Sequence, residues 1–161
     1  MKTLFVVRHS KAEQSFMGSD FERNLTQQGK ANTTLITTRF LQHHHTINTI
    51  ISSPANRAKM TAQLFAESLQ ISKQNILLKS ELYNAEFETY YDVLQHLPNT
   101  ITNVMLVAHN PAITYFINSM HIAQLDNMPT TGIFGVSIAT SNWSEFYKAK
   151  KEFLYFDYPK K

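Results

Sequence analysis

The chain has 161 residues, 43% of them hydrophobic and 17% charged, which is enough apolar matter for one packed core and argues against disorder. A formal net charge of +3 suits an anionic substrate but does not by itself indicate nucleic acid. The absence of cysteine excludes disulfides, thiolate zinc sites and cysteine nucleophiles, and is compatible with a reducing compartment.

Leu4 to Val7 are all apolar and partly β-branched, the pattern of a strand buried on both faces. That run is shorter than the roughly seven or more residues of a secretory h-region, and no window approaches the roughly 18 of a membrane span, so a soluble cytoplasmic protein is expected. The strand runs directly into Arg8 and His9. Residues 11–24 are polar, contain Gly18 and read as a loop. From Thr26, which fits an N-cap, Ala31, Leu35, Ile36, Phe40 and Leu41 predict a helix reaching His45. His43, His44 and His45 resemble a metal-binding tract, but their place favours a solvated helix C-terminus, where polar or cationic groups suit the dipole.

Ile47 to Ile51 is a second strand, closed by Ser52-Ser53-Pro54. Ala55 to Leu69 is an amphipathic helix with Ala58, Ala62, Phe65 and Leu69 on one side. Ile76 to Leu78 is a third strand, and Phe87 to Leu97 a helix stopped before Pro98. Val104 to Ala108 is a fourth strand ending at His109, and Pro111 opens a helix to about Met120. Ile133 to Ile138 and Phe153 to Tyr158 are two further strands near a C-terminal sheet edge. Strands alternating with helices predict an α/β fold, a mostly parallel sheet with helices on both faces. With no repeat, linker or low-complexity segment, residues 1–161 read as one domain.

The unusual polar residues fall at the ends of strands. Arg8-His9 follows the first, Ser52-Ser53-Pro54-Ala55-Asn56-Arg57 the second, and His109-Asn110-Pro111 the fourth. In an open α/β sheet, ligands bind outside the carboxyl ends of the strands, so two Arg and two His can converge there. Two guanidiniums suit a phosphoryl dianion, one neutral His can attack phosphorus, and the other, if protonated, can donate to the equatorial oxygens. There is no P-loop pattern and no carboxylate cluster that demands Mg²⁺. The chemistry that fits is metal-independent phosphoryl transfer through a phosphohistidine, with no cofactor.

The segments "VVRHSKAE", "SSPANRAKMTA" and "VMLVAHNPAI" resemble the signatures of the histidine phosphatase superfamily, and the chain is similar to its small SixA-type phosphohistidine phosphatases. "DFERNLTQQGKAN", "ELYNAE" and "MPTTGIFGVSI" extend the likeness over nearly the whole chain. The resemblance implies a phosphoglycerate mutase-like three-layer α/β/α sandwich, minimal and without a lid insertion. It implies His9 as the nucleophile, Arg8 and Arg57 as the phosphoryl clamp, and His109 as the electrostatic stabiliser. Ser10 stands where the family commonly has Gly and would offer the substrate a hydroxyl or a backbone donor.

Other residues stay open. Ser53 reads as a cap in a strand-to-helix turn, with phosphate contact second, and Asn110 as a cap or turn residue. Arg23 is either a solvated loop cation or a substrate-binding one. Glu81 is either the general acid or a surface carboxylate, with Asp20, Glu22 and Glu86 as further acid candidates. The connection from the third strand to Val104 has room for one helix and little lid, which suits a phosphate displayed on a protein. Phosphohistidine also needs less acid help than an ester, because its ring leaves as neutral imidazole once protonated. The expected partner is therefore a phosphohistidine protein, with inorganic phosphate as product and neither nucleic acid nor membrane involved. The alternatives are a phosphatase of small phosphomonoesters and a non-catalytic phosphate-binding module.

Overall fold

The structure is a computed structural model and describes residues 1–14 and 18–160. Ser15, Phe16 and Met17 of the predicted loop lie outside the described residues. Six strands form one sheet: β1 (Lys2–Arg8), β2 (Thr49–Ser52), β3 (Ile76–Leu78), β4 (Asn103–Ala108), β5 (Ile133–Ile138) and β6 (Lys151–Asp157), in the order β3-β2-β4-β1-β5-β6. The first four are parallel, β5 pairs antiparallel with β1, and β6 pairs antiparallel with β5 at the edge. Four helices cover it: α1 (Gln27–Gln42), α2 (Asn56–Leu69), α3 (Phe87–Gln95) and α4 (Ala112–Ser119). This is the phosphoglycerate mutase-like α/β sandwich, and no lid insertion is evident among the described residues.

Alternation along the strands builds a core on each face. Phe5 and Val7 of β1 pack with Ile36 and Phe40 of α1 and Ala58, Ala62 and Phe65 of α2. Leu4 and Val6 pack on the other side with Tyr90 and Leu94 of α3 and Ile113 and Phe116 of α4. Strands buried on both faces need such continuous apolar runs. The connection leaving β1 passes through α1 toward β2, whereas the one leaving β4 passes through α4 toward β5. Neighbouring strands whose connections depart to opposite faces leave a crevice between their carboxyl ends, and here it falls between β1 and β4.

Several boundaries differ from expectation for local reasons. α1 stops at Gln42 because His44 takes a left-handed φ of 59°. The chain then turns His45 back onto Phe5 and Tyr155, with ring centroids 5.1 and 5.4 Å away. The histidine tract is therefore not wholly solvated: burial, then the neighbouring His43, lowers the pKa of His45. β2 begins at Thr49, because the Asn48 side chain is engaged by the segment that leads into β4, accepting from the backbone N–H groups of Thr102 and Asn103. α3 ends at Gln95, where the His96 ring hydrogen-bonds the carbonyl of Asp92 at 2.7 Å.

The start of α1 sets the position of the segment that follows β1. Thr26 caps the helix by accepting from the Gly29 N–H at 2.9 Å. A Cβ on Gly29 would lie 2.2 Å from the carbonyl oxygen of Lys11, so helix and segment meet only because that side chain is missing. Gly29→Ala is expected to destabilise the fold by about 1–3 kcal/mol through overpacking, which urea denaturation would measure. Unchanged stability would mean that the contact relaxes without cost.

Candidate active site

Arg8 is the last residue of β1, paired with Ala108 of β4. The backbone N–H of His9 donates to the Ala108 carbonyl at 3.1 Å, and Thr131 N–H donates to the Arg8 carbonyl at 3.1 Å. Both side chains are thereby fixed at the mouth of the crevice. Arg8 Nη1 donates to the Met128 carbonyl at 2.8 Å.

The His9 ring is buried, with Nδ1 2.8 Å from the Ser10 carbonyl. A carbonyl only accepts, so Nδ1 carries the proton and Nε2 keeps its lone pair. Burial first, then the charges of Arg57, Arg8 and Arg23, lower the His9 pKa to about 4, against the opposing pull of the Ser10 carbonyl. His9 is thus neutral at neutral pH, as a nucleophile must be. His109 follows β4, its ring centroid 5.2 Å from that of His9 and its Nε2 2.8 Å from Ser53 Oγ. Burial, then His9 and Arg57, lower its pKa to about 3. In the free protein His109 is therefore a neutral donor, not the imidazolium considered from sequence. Where the Ser53 hydroxyl donates to Nε2, the ring proton sits on Nδ1.

Arg57 lies in the first turn of α2 and is buried. Its Nη1 donates to the Asp20 carbonyl at 2.8 Å and its Nη2 to the Asp20 carboxylate at 3.0 Å. The same carboxylate takes Arg23 Nη1 at 2.9 Å and Tyr83 Oη at 2.8 Å. Hydrogen bonds from Arg23, then Tyr83, with the charge of Arg57, bring the Asp20 pKa down to about 2. In the free protein this carboxylate is therefore ionised and engaged by Arg57, Arg23 and Tyr83.

Among the described residues, the buried side-chain nitrogens with no hydrogen-bond partner are Arg8 Nε, Arg57 Nε and His109 Nδ1. Each such donor costs about 1–3 kcal/mol. All three belong to residues singled out at the strand ends. Beside them is a cleft of about 280 Å³ lined by Arg57, His109, Asn84, Glu86, Tyr90 and Tyr115, among others.

The remaining candidates are placed as follows. Arg23 joins the site through Asp20, with its Nε on the Glu13 carbonyl at 2.7 Å. Ser10, expected to face substrate, is fully buried: its hydroxyl bonds Thr33 and Thr131, and its N–H donates to Thr61. It pins the loop instead. Glu81 lines a separate cleft of about 520 Å³ with Lys79, Asp92 and His96, not the one beside Arg57 and His109. Glu22 accepts from the Ser19 hydroxyl on the surface. The Asn110 amide donates to the Asn127 side chain and the Met128 carbonyl and accepts from Thr114, so it serves as a turn residue. Ser53 caps the turn as expected, accepting from the Ala55 N–H, but its bond to His109, that of Tyr83 to Asp20 and that of Thr131 to Ser10 were not foreseen, because each joins residues far apart along the chain. No group of three or more His, Cys, Asp or Glu that could hold a metal ion occurs among the described residues.

Both rings bind a proton more readily in the unfolded chain, where the pKa is near 6.5, than in the fold. Their contribution to stability is complete above that value and is lost as pH falls through about 4 for His9 and about 3 for His109. Denaturation midpoints should therefore drop between about pH 7 and about pH 5, with a smaller drop in a His109→Asn variant. Equal drops in both proteins would refute the burial of an uncharged His109.

Comparison with known proteins agrees with this geometry. The sequence profile of the histidine phosphatase superfamily (branch 1) matches residues 4–92. No curated protein sequence matches the chain. Among solved structures, the protein histidine phosphatase SixA complexed with tungstate is similar, with TM-score 0.81 at 21% identity, covering 98% of this chain and 97% of that one. SixA of Agrobacterium tumefaciens aligns with TM-score 0.80 at 24% identity over 97% of each chain. A mycobacterial glucosyl-3-phosphoglycerate phosphatase aligns with TM-score 0.67 at 13% identity over 98% of each chain. With more than half of its length matched by the family profile, the chain belongs to the histidine phosphatase superfamily.

Proposed function

We propose that the protein is a metal-independent phosphatase that works through a phosphohistidine on His9 and removes phosphate from phosphohistidine on a protein. One observation carries the reading: a buried, neutral His9 with a free Nε2 stands among guanidiniums and a second imidazole whose buried donors lack partners. The Nε2 lone pair forms a bond to phosphorus in line with the leaving group. The bond from phosphorus to the substrate nitrogen breaks, and its electron pair stays on the departing imidazole. Arg8, Arg57 and His109 hold the equatorial oxygens, where charge is greatest. Phosphorylation makes the His9 ring cationic, and the Ser10 carbonyl accepting from Nδ1–H stabilises that charge. Water then attacks the phosphoryl group. The electron pair returns to Nε2, and the water proton leaves on the released phosphate. The two guanidiniums supply the charge neutralisation that other phosphatases obtain from a divalent cation.

Two features favour a protein substrate. Between β3 and β4 the chain forms only a 3-10 turn (Ser80–Leu82), α3 and short loops, which suits an open site. The SixA neighbour is a protein histidine phosphatase whose bound tungstate is a tetrahedral oxyanion like phosphate. A second reading, hydrolysis of small phosphomonoesters, is favoured by the glucosyl-3-phosphoglycerate phosphatase that shares the fold. Hydrolysis of a phosphohistidine-bearing protein beside an aryl phosphate, with chelator present, separates the two. Faster turnover of the phosphohistidine is expected. Preference for the aryl ester would establish the second reading, and phosphate binding without turnover of either would leave a binding module.

A further inference from the structure

In-line displacement requires the nucleophile and the leaving group to lie on opposite sides of phosphorus. The cleft of about 280 Å³ is lined by Arg57 and His109, two groups placed on the equatorial oxygens, but by neither His9 nor Arg8. A space that shares the equatorial clamp and excludes the nucleophile is where the leaving group should sit. Its walls are the Tyr115 ring, which is 57% exposed on α4, the buried Tyr90 of α3, and the turn before α3. That turn passes through Asn84 at a left-handed φ of 58°, a conformation Asn tolerates, and brings Glu86 to the lining. Among the described residues that line the cleft, Glu86 is the one carboxylic acid.

We propose that this cleft receives the imidazole of the substrate phosphohistidine and that the Glu86 carboxylate accepts a hydrogen bond from its distal ring N–H. The inference rests on the phosphohistidine reading above. An acceptor at that nitrogen keeps the phosphorylated ring protonated, which allows it to leave neutral. When the P–N bond breaks, its electron pair goes to the proximal nitrogen while the distal nitrogen keeps its proton. No proton has to be delivered to the leaving atom. An alkoxide or phenolate has no such N–H, so the same carboxylate gives an ester nothing to bind. Glu86 is thus a specificity-determining residue for phosphoimidazoles over esters, a place that Glu81 cannot take from its own cleft. The Tyr115 ring offers a flat wall for the departing imidazole.

The test compares wild type and Glu86→Gln on a peptide carrying phosphohistidine and on an aryl phosphate. Glu86→Gln should lower kcat/KM on the peptide by roughly tenfold or more at about pH 8, where the ring needs the carboxylate to stay protonated. The loss should shrink toward about pH 6, where solvent protonates the ring. It should exceed the loss on the aryl phosphate by at least about fivefold, and Glu86→Asp should recover part of it. Equal losses on the two substrates, or no loss on the peptide, would overturn the proposal while leaving the phosphohistidine reading intact. A wild-type protein that turns over the aryl phosphate but not the peptide would overturn both.

Discussion

His9→Ala is expected to lose turnover, with kcat falling by roughly 10⁴-fold or more while inorganic phosphate still binds. The size of the expected loss follows from the role proposed for His9. No other described imidazole could replace it without moving, because His109 sits on Ser53 with its Nε2 engaged. Arg8, Arg57 and His109 remain in the variant, so the proposed phosphoryl clamp should survive without the proposed nucleophile. Steady-state kinetics alongside calorimetric phosphate binding would check both halves. Retention of full activity by His9→Ala would overturn covalent catalysis at this position.

Arg57→Lys is expected to lower kcat/KM by about 10²-fold, a loss comparable to that of one oxyanion-hole donor. The guanidinium uses Nη1 and Nη2 on Asp20 and still has Nε unpartnered and buried. A lysine keeps the charge and three N–H donors, but they radiate from one nitrogen and cannot reproduce the planar fork that takes both the Asp20 carbonyl and its carboxylate from two nitrogens. The Asp20 network, in which Arg23 and Tyr83 share the carboxylate, would lose one of its members. If the fork matters more than the charge, Arg57→Lys should be nearly as impaired as Arg57→Ala. Kinetics of the two variants side by side measures this, and near wild-type activity for lysine would show that charge alone suffices.

The architecture was largely legible because β1 and β4 are buried on both faces and so read as unbroken apolar runs ending in polar residues. The convergence of Arg8, His9, Arg57 and His109 followed from their places after strands, since a parallel sheet brings those ends together whatever their separation in sequence. What the pattern could not reveal depended on packing. Ser10 looks like a donor next to His9, yet Thr33 and Thr131, distant in sequence, take its hydroxyl. Glu81 follows β3 as expected, but Leu82 beside it turns into the core and leaves Glu81 on another cleft. Asp20 read as one acidic loop residue among several, and only the fold brings it to Arg57 and Tyr83. His45 belongs to a polar tract, and its partial burial depends on a left-handed turn at His44, a non-glycine residue.

The covalent intermediate is the central claim, and the direct measurement is rapid mixing with radiolabelled phosphohistidine peptide, quenching in base and mapping the labelled fragment. A phosphoryl group on His9, stable to base, labile to acid and formed as fast as turnover requires, is the predicted result. Turnover without a labelled enzyme, or label on any other residue, would contradict it.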